Sequence, residues 1–314
     1  MPGLTDIEGI KVGHASDFEA LTGLTAILCE RGAVAGCDIG GAATGTQEFD
    51  LLSPFHLTER IHAVTFAGGS AFGLEAACGV RRYLEQKGVG YDAGAARIPL
   101  VPCAILYDLG IGQPSVRPTR EMGEAAAAAA SVKPVEEGCV GAGTGATVGK
   151  ILGMKNAMKG GIGTMTVALE GPYAGVLVSA LAVVNAFGDI RDPETGKIIA
   201  GARTASGFAD TELLLKRGRR GGFQNTTLVV VATNARLTKV QASRLARMAQ
   251  AGVLRTLSPG HTMFDGDVVI ALSLGDREAD VNSLGVAAAE AVAQSIMRGV
   301  RLARGMGGVP GLAK

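Results

Sequence analysis

Leu228-Val229-Val230-Val231-Ala232 is an unbroken apolar, largely β-branched run. It is headed by Thr226-Thr227 and preceded by a Gly- and Arg-rich stretch from Arg217 to Gly222. Such a run reads as a buried strand, and the polar segment before it marks where the strand begins. Thr25 to Cys29, Ala63 to Ala67, Val176 to Val184 and Val268 to Leu274 repeat the pattern, the third run closing at Asn185. Ala71 to Gln86, Glu121 to Val132, Val240 to Gly252 and Val281 to Met297 read as helices, with Ser70 placed to cap the first. The expected architecture is α/β, with interior sheets and outer helices. Val281 to Met297 is nearly all small and apolar, so it must be covered on most sides, by a second subunit or by an internal layer.

Composition narrows what such layers serve. The chain has 314 residues, 47% of them hydrophobic, enough core material for a globular enzyme. With 47 glycines, 4% aromatics and no Trp, the layers must approach closely through Ala, Val, Leu and Ile. A formal charge of +1 provides no basic surplus for nucleic acid and no acidic surplus for cationic partners. Five scattered cysteines, an odd number without CxxC pairing, fit a reducing cytoplasm. No basic-then-apolar start and no run of membrane-spanning length is seen, so no membrane partner is expected.

Several motifs compete for attention. Gly141 to Lys150 resembles a phosphate loop, but its spacing departs from the Walker pattern and Ile151 stands where a metal-binding hydroxyl belongs. It reads as tight turns between layers or as a backbone wall of an active site. His14, His56, His62 and His261 lack metal-ligand spacing, so no metal is expected. Gly68 to Gly73 echoes a nucleophile elbow without matching it. Ala186 to Gly222 is a long polar excursion running into the Asn225-Thr226 bond, and a loop of that length reads as a processing loop.

The chemistry follows from Thr226. A hydroxyl at that position can attack the carbonyl of Asn225, giving an ester by N-to-O acyl shift that water hydrolyses. The new chain end then carries both a hydroxyl and an α-amine of pKa about 8, so one residue supplies attacker and base. Asn185, a neutral amide closing a strand, is the candidate oxyanion donor; capping a strand or turn is its plainer role. Asp265 and Asp267 precede a strand and share one face by alternation, where they can orient the ammonium, or they form a solvated turn. A lysine beside the nucleophile would lower the pKa of that amine. Lys150, Lys155 and Lys159 fall in one loop, and Lys150 and Lys159 are the choices. Tyr107, after the strand at Ala104 to Leu106, is either a hydrogen-bond donor to substrate or a half-buried aromatic.

Leu4 to Ile7, Lys11 to His14, Gly68 to Leu74, Ile98 to Pro102, Lys159 to Thr164, Val183 to Ala186 and Asn225 to Thr227 occur in an order that resembles the L-aminopeptidase/D-Ala-esterase/amidase family. That family includes β-aminopeptidases and nylon-oligomer hydrolases. The resemblance implies an αββα four-layer sandwich, similar in layering to N-terminal-nucleophile hydrolases but different in connectivity. It also implies a precursor cut into residues 1–225 and 226–314 that stay associated, a homo-oligomer of αβ units (a tetramer), and no metal or organic cofactor. Expected substrates are small peptides, amino-acid amides or ω-amino-acid oligomers. Thr after Asn, and Asp-x-Asp where serine members have Ser-x-Glu, resemble the Thr-type nylon-oligomer branch. Two other readings stay open: an acyl transferase of the ornithine acetyltransferase type, and a binding protein that never processes.

Overall fold

A computed structural model describes residues 2–220 and 225–314. The main sheet uses nine strands, which in chain order are β1 (Lys11–Asp17), β2 (Thr22–Ile39), β3 (Gly45–Gln47), β4 (Arg60–Ala67), β5 (Cys103–Ile105), β6 (Ile162–Ala168), β7 (Leu177–Asn185), β8 (Thr226–Ala235) and β9 (Val268–Arg277). Their spatial order is β6-β7-β8-β9-β2-β4-β5-β3, with β1 paired beside β2. Among the described residues there are five α-helices: α1 (Ala76–Gln86), α2 (Arg120–Ala129), α3 (Thr211–Lys216), α4 (Lys239–Thr256) and α5 (Val281–Arg301).

One long strand joins the two halves of this sheet. The first part of β2 pairs with β1 and β4 and its last part with β9, and its register on β4 shifts between Leu28 and Ala33. Three hydrophobic clusters fill the spaces between layers. Leu24, Ala26 and Leu28 pack with Ala77, Val80 and Leu84 of α1 and Ala126 of α2. Ile27, Val64 and Phe66 pack across the middle against Leu181, Val183, Leu228, Val230 and Ile270. Val229, Val231, Val269 and Ala271 face Leu245 and Ala249 of α4 and Ala288 and Val292 of α5. The result is the αββα sandwich. Leu228 to Ala232 of β8 is unbroken apolar because alternate residues enter two different clusters, as expected for a strand covered on both faces.

The parallel pair β8 and β9 is joined through α4, the crossover that parallel strands require. Thr238 starts α4 with a capping box: its hydroxyl accepts from the Gln241 N–H, and the Gln241 amide accepts from the Thr238 N–H. α5 packs most of its surface against the sheet and α4, with Val286 left exposed. A Cβ on Gly163 of β6 would lie 2.1 Å from the Ser295 carbonyl oxygen, so the helix rests directly on the strand.

Two expectations are revised. Ser70 does not cap a helix. It sits in the left-handed region (φ 54°) and opens a 3-10 segment, Ser70–Glu75, ahead of α1. The Gly69 and Ser70 N–H groups are taken by Asp108 and the Leu106 carbonyl, and no side chain caps the segment. The polar stretch after Asn185 is folded as well. Residues 189–191 pair with 198–200 and 203–204 with 207–208, and α3 follows. Buried Asp189 ties this segment together, accepting from the Ala202 N–H at 2.8 Å and the Thr211 N–H at 2.6 Å. Gly221 and Gly222, the end of the expected loop, and Gln224 lie outside the described residues.

Candidate active site

Asn185 and Thr226 are direct partners across the antiparallel β7/β8 pair. They lie on the face that Leu181, Val183, Leu228 and Val230 use, so both point into the space between the two sheet halves. Both are buried, Asn185 completely. The Thr226 hydroxyl donates to the carbonyl oxygen of Asn225. That oxygen also accepts from the Gly266 N–H at 2.9 Å.

The Asn185 amide is oriented from three sides. Its Oδ1 accepts from the Thr147 N–H at 3.0 Å and from Lys150 Nζ at 2.9 Å, and its Nδ2 donates to the Tyr107 carbonyl at 3.1 Å. Two donors on one atom leave the amide a single satisfactory orientation. Lys150 Nζ also donates to the Asn185 carbonyl at 2.9 Å. Burial pushes the Lys150 pKa down to about 7, against the opposing pull of Asp265.

Lys159 occupies a different place. It is fully buried, and its ammonium donates to the Thr144 and Ala146 carbonyls at 2.8 and 2.7 Å; burial lowers its pKa to about 8. It braces the segment that presents Thr147 and makes no hydrogen bond to Thr226 among the described residues. Lys155 is exposed. The phosphate-loop lookalike therefore forms a backbone wall of this site. The Tyr107 side chain is half-buried and lines a narrow cleft with Asp108, Thr147, Lys150 and Met154.

Asp265 and Asp267 are both fully enclosed. Asp265 accepts from the Phe187 N–H at 3.1 Å and the Thr262 hydroxyl at 2.6 Å. Asp267 accepts from the Thr227 N–H at 2.7 Å, and on its other oxygen from the His261 N–H at 3.1 Å, with the His261 Nδ1 also 3.1 Å away. Burial, then the neighbouring Asp267 charge, raises the Asp265 pKa to about 6. These are organised acids inside the protein and do not form a solvated turn.

Sequence reasoning missed His261 and Gly266. His261 reads in sequence only as a histidine without metal-ligand spacing, although it stands four residues before Asp265; its left-handed backbone (φ 56°) turns it back onto Asp267. Gly266 was passed over as a spacer between acids. A groove of about 970 Å³ lies at the other end of β8, by Lys239 and Asp280 at the starts of α4 and α5, away from these residues. Volume therefore does not mark the site; the convergence of buried polar groups does.

Solved structures share this layering. L-aminopeptidase D-Ala-esterase/amidase from Ochrobactrum anthropi, described as a new variant among the Ntn hydrolase fold, superposes with a TM-score of 0.76 at 20% identity, covering 98% of this chain and 88% of that one. A β-aminopeptidase from Burkholderia sp. superposes with a TM-score of 0.71 at 23% identity over 99% and 90%. The fold is thus the Ntn-hydrolase type of α/β sandwich. The chain belongs to peptidase family S58, whose family model matches residues 3–313. It is similar to an uncharacterised aminopeptidase of Mycobacterium bovis, 37% identical over 99% of this chain and 96% of the relative. It is also similar to a 6-aminohexanoate-oligomer endohydrolase of Kocuria sp., 29% identical over 85% of this chain and 74% of the relative. Among the described residues, no helix is long and apolar enough to cross a membrane.

Proposed function

We propose that this peptidase cuts its own chain between Asn225 and Thr226 and then uses the freed Thr226 to hydrolyse amide bonds of small substrates. The observation that carries the reading is the Thr226 hydroxyl lying on the carbonyl oxygen of the bond it would cut, at the head of a central strand and directly across the sheet from Asn185. Once residues 1–225 and 226–314 are separate chains, the Thr226 α-amine takes the proton of its own hydroxyl as Oγ attacks a substrate carbonyl. The Asn185 Nδ2, held by its partners, donates to the oxyanion. Asp265 and Asp267 hold the terminal ammonium and the start of β8 in place. Lys150 fixes the Asn185 amide, and its positive form lowers the proton affinity of the nearby amine. Tyr107 borders the small cleft beside Lys150, where its hydroxyl is a candidate donor to substrate.

The acyl-enzyme ester is released by water, giving aminopeptidase or amidase chemistry. The two classes of relative suggest amino-acid amides, small peptides or ω-amino-acid oligomers as substrates. Replacing Thr226 by Ala tests the proposal. The expected product is one uncut chain by intact mass, with no amidase activity. Two fragments from that variant on a denaturing gel would remove Thr226 from the cleavage step.

A further inference from the structure

Gly266 separates the two buried carboxylates, and both its amide and its missing side chain bear on the Asn225-Thr226 bond. Its N–H donates at 2.9 Å to the same carbonyl oxygen that the Thr226 hydroxyl touches. A Cβ built on Gly266 would stand 2.9 Å from Thr226 Oγ and 2.7 Å from the Ala43 carbonyl oxygen, closer than carbon normally approaches. Gly266 is not among the residues of positive φ, so its backbone conformation does not demand glycine. Space does.

The turn that carries Gly266 is clamped from behind. The Gly40 and Gly41 N–H groups donate to the Asp267 carbonyl at 3.0 and 3.1 Å, and the Ala43 N–H donates to the Asp265 carbonyl at 2.8 Å. A parallel bridge joins Asn225 to Asp265. The carboxylates on either side are held in turn by Phe187, Thr262, Thr227 and His261. A donor fixed in this way does not have to reorganise as charge develops beside it.

We propose that Gly266 is a catalytic residue of self-cleavage: its peptide N–H stabilises the oxyanion formed on the Asn225 oxygen, and its lack of a side chain leaves the seat that the Thr226 hydroxyl occupies. As Thr226 Oγ bonds to the Asn225 carbonyl carbon, the carbonyl electron pair moves onto the oxygen that Gly266 already contacts. On collapse that pair re-forms the carbonyl and the carbon–nitrogen bond to Thr226 breaks. The hydroxyl proton ends on the departing nitrogen, leaving an ester of Asn225 with Thr226. Water cleaves this ester to the Asn225 carboxylic acid and the free hydroxyl.

This inference rests on the self-cleavage reading, and the experiment separates the two. Full-length chains are made in a cell-free system, and fragment appearance is timed by denaturing gel and intact mass. In Gly266→Ala the methyl group displaces the hydroxyl, and misplacement on the order of 1 Å is expected to slow cutting by about tenfold or more, up to ~100-fold. In a second chain, glycolic acid replaces Gly266, exchanging the N–H for an ester oxygen without adding bulk. Loss of one oxyanion donor there is expected to slow cutting by about 100- to 1,000-fold. Circular dichroism of the uncut chains checks folding; if Gly266→Ala does not fold, the ester chain decides alone. Parental cutting by the ester chain beside an uncut Thr226→Ala overturns the Gly266 role and leaves self-cleavage standing. Fragments from Thr226→Ala overturn self-cleavage itself.

Discussion

Lys150→Met, made in a Thr226→Ala background so that every sample is a single chain, isolates the energetics of the buried ammonium. Burial holds the Lys150 pKa at about 7 in the folded protein, against an ordinary 10.5. That gap is worth ~5 kcal/mol. The sign follows from proton counting. Between pH 7 and 10.5 the unfolded chain keeps the proton and the folded chain does not, so stability rises with pH across that window; below pH 7 both keep it and the penalty is complete. Methionine has no such dependence, but it forfeits the two hydrogen bonds from Nζ to Asn185, each 2.9 Å. For a neutral amine these contribute about 1 kcal/mol apiece. The variant should therefore be ~3 kcal/mol more stable than its parent near pH 6.5 and ~1 kcal/mol less stable near pH 10, where the unfolded lysine still holds most of its proton. Urea unfolding followed by far-ultraviolet circular dichroism at four pH values between these limits gives the two curves. Lys159, at about 8, is present in both chains, and Asp265, at about 6, is mostly ionised across the window. Parallel curves would refute the assignment of a near-neutral pKa to Lys150.

Two further outcomes are expected. Asn185→Ala removes the oriented Nδ2 donor, so kcat on a small amide should fall by about 100- to 1,000-fold with KM little changed; steady-state kinetics that show only a raised KM would assign Asn185 to binding. Asp189→Ala leaves the Ala202 and Thr211 N–H groups without their acceptor, and should destabilise the protein by about 2–5 kcal/mol in denaturant titration while cutting at Asn225-Thr226 continues.

Much of the central sheet was legible because β7 and β8 are buried on both faces. Such strands appear in sequence as continuous apolar runs, and their polar ends, Asn185 and Thr226, stand out against them. Placing those two ends side by side was not legible, since cross-strand register depends on contacts far apart in the chain. The same limit hid the bend in β2, whose two halves pair with different neighbours. Lys150 and Lys159 looked equivalent in one loop; only the path of residues 144–150 sends one ammonium to Asn185 and the other to backbone carbonyls. The stretch after Asn185 read as an open loop because its order comes from one buried carboxylate, Asp189, reaching residues 13 and 22 positions away. Gly266 escaped notice because what it does depends on an absent side chain, which a sequence displays only as a turn former.

The position of β8 has a consequence for the chain as a polymer. It lies between β7, on one side of the Asn225-Thr226 bond, and β9 on the other, and β9 in turn pairs with β2. Scission at that bond leaves every layer intact, yet it divides the sheet's ladders between two molecules woven through one another at two seams. Folding before the cut is a search by a single body. After the proposed cut, any molecule that fully unfolded would have to find a partner by diffusion to regain its shape, so processing would turn an intramolecular equilibrium into a bimolecular one.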